Sequence, residues 1–85
     1  MKVLIPSALR SYTESSHADA SGATLADVLL DLDRQYPGIR FRMVDEQQHV
    51  RRHIRIFVNG TQVVDLSLPL KAGDDVVIVQ ALSGG

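Results

Sequence analysis

The 85-residue sequence has no cysteine. That excludes disulfides, zinc–thiolate sites and a thiol nucleophile at once, and it fits a reducing compartment. Long apolar runs are also missing. The run before Pro6 in "MKVLIPSALR" is too short for a signal-peptide core, and no segment approaches membrane length. We therefore expect a cytoplasmic protein with no membrane partner. Charge of one sign is lacking too. The formal net charge is −1, so nothing in the overall balance draws the chain to nucleic acid or acidic lipid. Arg40, Arg42, Arg51, Arg52 and Arg55 do cluster in sequence. No stacking aromatics are interleaved with them, and Asp45 and Glu46 offset part of the charge, so nucleic acid is not expected. A solvated face is the plain reading of these arginines, and contact with an acidic partner surface is the other. His17, His49 and His53 lack zinc spacing, so no metal is expected. Ser15 and Ser16 beside His17 do not make a triad, and we expect no catalytic residue.

What remains is one small folding unit. Hydrophobic residues make up 45% of the chain, too many for a disordered segment. A chain of this size buries roughly 60% of its unfolded surface, which leaves little room for a deep cleft. No repeat or linker divides it.

"KVLI" reads as a buried strand, and "ALRSY" as a possible resumption of pairing after Pro6. "SYTESSHADASGA" reads as a weak strand or hairpin leading to a turn at Gly22. "TLADVLLDLDRQYPG" is the clearest helix. Thr24 suits the N-cap, and Asp27 lies near the positive end of the helix dipole. Leu25, Val28, Leu29, Leu32 and Tyr36 form one stripe, while Asp27, Asp31, Asp33 and Arg34 lie off it. Pro37 and Gly38 stop the helix. A short strand is expected near Phe41 to Val44. "HIRIFVNG" alternates, with Ile54, Ile56 and Val58 on one face and His53, Arg55 and Phe57 on the other. Asn59-Gly60 is a hairpin signal, and "TQVV" returns from it. Asp74 and Asp75 fall at a turn, and they are also candidates for negative charge beside the C-terminal tail. "DVVIVQAL" is apolar on both faces, as a central strand requires. The order β-β-α-(β)-β-β predicts an α+β fold of the β-grasp, ubiquitin-like kind. It would have a mixed four- to five-stranded sheet packed on one main helix. Residues 1–82 form the domain in this reading, and 83–85 a flexible tail.

The sequence closes on "ALSGG". Glycine averages about 7% of residues, so two at the last two positions arise by chance in about 0.5% of chains. The Gly85 carboxylate, with an ordinary pKa of about 3.5, is ionised and unreactive at neutral pH. Converted by ATP to an acyl-adenylate, its carbonyl becomes open to a sulfur nucleophile, and a thiocarboxylate results. A carrier working this way needs no catalytic side chain. It needs a thread thin enough to enter another protein's site, and Gly84 and Gly85 pass where a Cβ would not. Ala81 to Gly85 can reach roughly 17 Å. The competing reading is a frayed tail with no role.

With "VNG" after the middle strand, "GDDVVIVQALSGG" at the end and a β-grasp order between, the chain resembles the MoaD/ThiS sulfur carriers. "IPSALR", "TLADVLLDL" followed by "YPGI", and "HIRIFVN" look most like the CysO type. The chain is longer than typical ThiS around residues 7–24 and 39–53, which counts against a thiamine role. The resemblance implies a carrier that is not itself an enzyme, binds no cofactor, and is charged at Gly85 by an E1-like adenylating enzyme of the MoeB/ThiF type using ATP. It further implies a sulfur-accepting partner, best read as a pyridoxal-phosphate-dependent cysteine synthase, and a metalloprotease that releases cysteine. The alternatives are the small subunit of molybdopterin synthase and a ubiquitin-like modifier joined to amines through Gly85. Ser83 and Gly84 belong to the tail in this reading. Phe57, Val77, Val79 and Leu82 would form an apolar partner patch at its root. The plainer reading of these side chains is scattered surface apolars.

Overall fold

The computed structural model describes residues 1–81. In chain order, β1 (Lys2–Leu4) leads into a 3₁₀ turn (Ser7–Leu9) and a short α1 (Arg10–Thr13). Then come β2 (His17–Asp19), α2 (Leu25–Gln35) and α3 (Ile39–Met43). The chain closes with β3 (Ile54–Val58), β4 (Thr61–Val63) and β5 (Val76–Gln80). The five strands form one sheet in the order β2-β1-β5-β3-β4. β5 runs parallel to β1 and antiparallel to β3, so the mixed sheet is the β-grasp expected, with the doubly apolar strand at its centre.

The inner face of the sheet holds Val3, Ile54, Ile56, Val76 and Ile78, all buried. Against it α2 lays Leu25, Val28, Leu29 and Leu32, each fully buried, and Tyr36 packs at the edge of the same cluster. Thr24 caps the helix as expected, its hydroxyl accepting from the Asp27 N–H at 3.2 Å.

Two sequence expectations are corrected. Residues 41–44 do not form a strand. Gly38 takes a φ of 98°, and Asp33 Oδ1 accepts from the Gly38 and Arg40 N–H groups at 3.1 and 3.2 Å, which restarts the chain as α3. Ile39 and Met43, one helical turn apart, are both fully buried. Val44 then makes an isolated bridge to Val50. "ALRSY" does not resume pairing either. Pro6 has a φ of −67°, and its carbonyl accepts from the Leu9 N–H at 2.9 Å. The segment coils and drives Leu9 into the core. Arg10 Nε reaches back to the Ile5 carbonyl at 3.0 Å and holds the coil against β1.

Candidate functional site: the root of the C-terminal tail and the outer sheet face

β5 delivers the chain to Ala81, whose N–H donates to the His53 carbonyl at 2.7 Å. Beside it Gln80 pairs with Ile54 across the sheet. The last described residue is thus fixed to the segment that enters β3. Leu82, Ser83, Gly84 and Gly85 lie outside the described residues, as does the expected domain boundary after residue 82.

The side chains around this root come from both sides of β5. On one side the turn Pro6–Ala8, Arg10 and the end of β5 frame a shallow groove of about 310 Å³ that also takes in Val79 and Gln80. On the other side lie His53, Arg51 and Arg52 from the segment entering β3, with Phe41 and Arg42 from α3. Arg51 stacks on Phe41, its Cζ 4.5 Å from the ring centroid, and its Nε donates to the Phe41 carbonyl at 2.7 Å. Arg55 folds back so that its guanidinium donates to the Arg52 and Ile54 carbonyls. Of the arginines clustered in the sequence, Arg42, Arg51, Arg52 and Arg55 therefore lie at the end of the molecule where the tail begins. Phe41, 54% exposed, stands among them. Sequence reasoning missed it because residues 41–44 read as strand. Its place beside "RFRM" was the available signal.

The outer face of the sheet carries the expected apolar residues. Phe57 and Val77 are cross-strand partners, both half-buried. Val77 is also in register with Leu4 of β1, so the row is Leu4–Val77–Phe57. Leu4 was not anticipated, since the pairing of β1 with β5 cannot be read from either strand alone. Val79 lies on the same face one step nearer the root, opposite Arg55, and is 36% exposed. The structure thus places Phe57, Val77 and Val79 on one face.

Asp74 and Asp75 sit elsewhere. They precede β5, a strand length of about 17 Å from the root, so they do not flank the tail. Their place is structural. Asn59 Nδ2 donates to Asp74 Oδ1 at 3.0 Å, and Asn59 Oδ1 accepts from the Asp75 N–H at 3.0 Å. Asp74 Oδ2 also accepts from the Lys71 N–H, and these bonds to the charged form hold its carboxyl below the usual value.

Among the described residues no cluster of His, Asp and Glu is arranged to hold a metal ion. No helix there is long and apolar enough to cross a membrane. The three histidines stay apart: His17 is on β2, His49 pairs with Asp45 at 3.7 Å, and His53 lies at the root. Ser16 Oγ lies 3.0 Å from His17 Nδ1, an exposed contact between sequence neighbours that no acid completes.

The family model described as the ThiS family matches residues 3–85. The chain is 36% identical over 89 residues to the sulfur carrier protein CysO of Mycobacterium tuberculosis, covering 98% of this chain and 96% of that one. It is 33% identical over 66 residues to small archaeal modifier protein 3 of Haloferax volcanii, covering 74% and 71%. Among solved structures it superposes on a chain of the BexX/CysO complex of Amycolatopsis orientalis with a TM-score of 0.90. That alignment has 33% identity and covers 99% of this chain and 98% of the other.

Proposed function

The chain belongs to the ThiS family, and from that premise we propose that it is a ubiquitin-like sulfur carrier charged at Gly85. A carboxylate oxygen of Gly85 attacks the α-phosphorus of ATP in the site of an adenylating enzyme, and pyrophosphate leaves. A sulfur nucleophile at the level of hydrosulfide adds to the acyl carbon. AMP departs with the C–O electron pair, and loss of a proton leaves the thiocarboxylate. ATP is held by the partner, and the carrier supplies only the acyl group and its presentation. The acceptor that best suits the likeness to CysO is a pyridoxal-phosphate-dependent cysteine synthase, with a metalloprotease releasing the product amino acid.

One observation carries this reading. The strand that leads to the terminus is the central one of the sheet, and its exit is pinned at Ala81. Four more residues follow in the sequence, and four residues reach at most about 14 Å. A rigid base within that reach of Gly85 is what a partner needs to grip the body and act on the acyl carbon. The row Leu4–Val77–Phe57, with Val79, is the apolar surface available for that grip.

Intact mass of the protein purified from its native cells tests the reading. The carrier function requires a species with one sulfur in place of one oxygen, absent after Gly84-Gly85 are deleted. The likeness to a small archaeal modifier protein favours a second reading, conjugation of Gly85 to amines. It predicts higher-mass adducts that survive reducing agent. An unmodified acid, even with ATP and the cognate activating enzyme, would overturn both.

A further inference from the structure

The basic pole around the tail root has no part in the chemistry above. Overall the protein is slightly acidic. Even so, Arg42, Arg51, Arg52, His53 and Arg55 gather near Ala81, with Asp45 at their edge, while Asp74 and Asp75 lie before β5, beside Lys71 and Lys2. Among the described residues no carboxylate is within salt-bridge distance of these four guanidinium groups. Asp45 lies on this side too, facing His49 and the field of Arg51.

The length of the thread turns this into a statement about the partner. An enzyme that works on Gly85 must bring its active-site mouth within about 14 Å of Ala81. Its rim then faces the side chains flanking the root: that of His53, whose backbone carbonyl holds Ala81, and those of the arginines beside it. We infer that this basic collar docks on an acid-lined rim around the tail channel of the adenylating enzyme, with Phe41 as its apolar centre. The inference rests on the carrier reading. An acidic protein surface fits better than RNA, because Arg51 already occupies one face of Phe41, the exposed aromatic of the collar, which removes a base-stacking platform. Opposed charges at a rim act chiefly on the rate of encounter and are screened by salt.

The test uses the full chain and the adenylating enzyme of the same organism, measuring ATP-dependent charging of Gly85. Arg42 and Arg52 are exposed, and the charging chemistry does not use them. In the double variant R42E/R52E, KM for the carrier is expected to rise by about tenfold at low salt with kcat unchanged. The difference should close at about 0.5 M salt. R42K/R52K should restore the wild-type KM. Should the reversed variant fold poorly, the wild-type KM rising steeply with salt gives the same answer. A KM indifferent to both charge reversal and salt, with wild type charged and the Gly84-Gly85 deletion not, overturns the collar and leaves the carrier intact. Binding of tRNA by wild type but not by R42E/R52E, at unchanged KM, also overturns it and assigns the arginines to RNA. No charging of wild type at all removes the carrier reading, and the collar with it.

Discussion

At the scale of single residues, two positions decide more than their chemistry suggests. Gly22 has an ordinary φ, so freedom of backbone is not its purpose. A Cβ there would lie 2.6 Å from Asp27 Cβ and 2.7 Å from the Val28 nitrogen. Both belong to the first turns of α2, which the core fixes, so neither can move aside. Gly22→Ala should cost about 1–3 kcal/mol, read as a lower urea midpoint at unchanged slope. Asn59 has a φ of 51° and Gly60 a φ of 85°, the pair of positive values a type I′ hairpin requires. The hairpin signal was legible. The second task of Asn59, binding Asp74 and the Asp75 N–H, was not, because the partners are 15 and 16 residues away. Asn59→Ala should lower the urea midpoint and return the Asp74 carboxyl toward its ordinary value, visible by carboxyl NMR titration.

The same residue scale fixes the response to acid. Asp45, Asp65 and Asp74 are all held below the ordinary 3.8. The chief causes are the His49 N–H for Asp45, the Ser67 hydroxyl for Asp65 and the Asn59 amide for Asp74. A folded-state pKa below the unfolded one means that folded protein binds fewer protons near that pH. The stabilisation is therefore complete above 3.8 and is lost as pH falls through the folded values. Urea midpoints should be level down to roughly pH 5 as far as these groups contribute, then fall below about pH 4. The three carboxylates are solvent-exposed, so the fall is shallow. In Asn59→Ala it should be shallower still.

Among the elements, α2 is the one whose sequence and structure agree throughout. Its stripe, cap and stop are local features. Leu32→Ala, which empties a fully buried site facing the sheet, should cost about 2–5 kcal/mol. Thr24→Ala removes only the cap bond and should cost about 1 kcal/mol. Chemical denaturation of both variants checks the ordering. α3 shows the limit of local reading. "RFRMV" carries apolar residues at alternate positions, which suits a strand. Ile39 and Met43, four apart, suit a helix equally. The choice falls to Asp33, whose carboxylate gathers the Gly38 and Arg40 N–H groups from the far side of the turn. Asp31 is similar. It lies off the apolar stripe as expected, but it also binds the Ser21 N–H, Arg34 and Gln35, tying the loop before α2 to the helix.

For the whole molecule, the arrangement separates stability from use. The buried cluster joins sheet, α2 and α3 within residues 1–81. Deleting Gly84-Gly85 should leave the thermal midpoint unchanged while abolishing charging, measured on the same preparation. The outer sheet face and the basic collar meet at Ala81 and contribute little to that cluster. Val79 is the natural probe where they join. Val79→Asp should weaken partner binding severalfold with a small effect on the thermal midpoint, since the residue is already 36% exposed.

By itself the sequence determined the helix, the hairpin, the central strand and the glycine-ended terminus. These follow from spacing, turn chemistry and the apolarity of short segments, all properties of neighbours along the chain. Tertiary structure alone decided that 41–44 is not a strand, that Leu4 joins Val77 and Phe57, and that Arg42, Arg51, Arg52 and Arg55 stand around Ala81. Each of those depends on which distant strands pair and in what register. That choice is made by burying one face of a sheet against one helix, and no single segment encodes it.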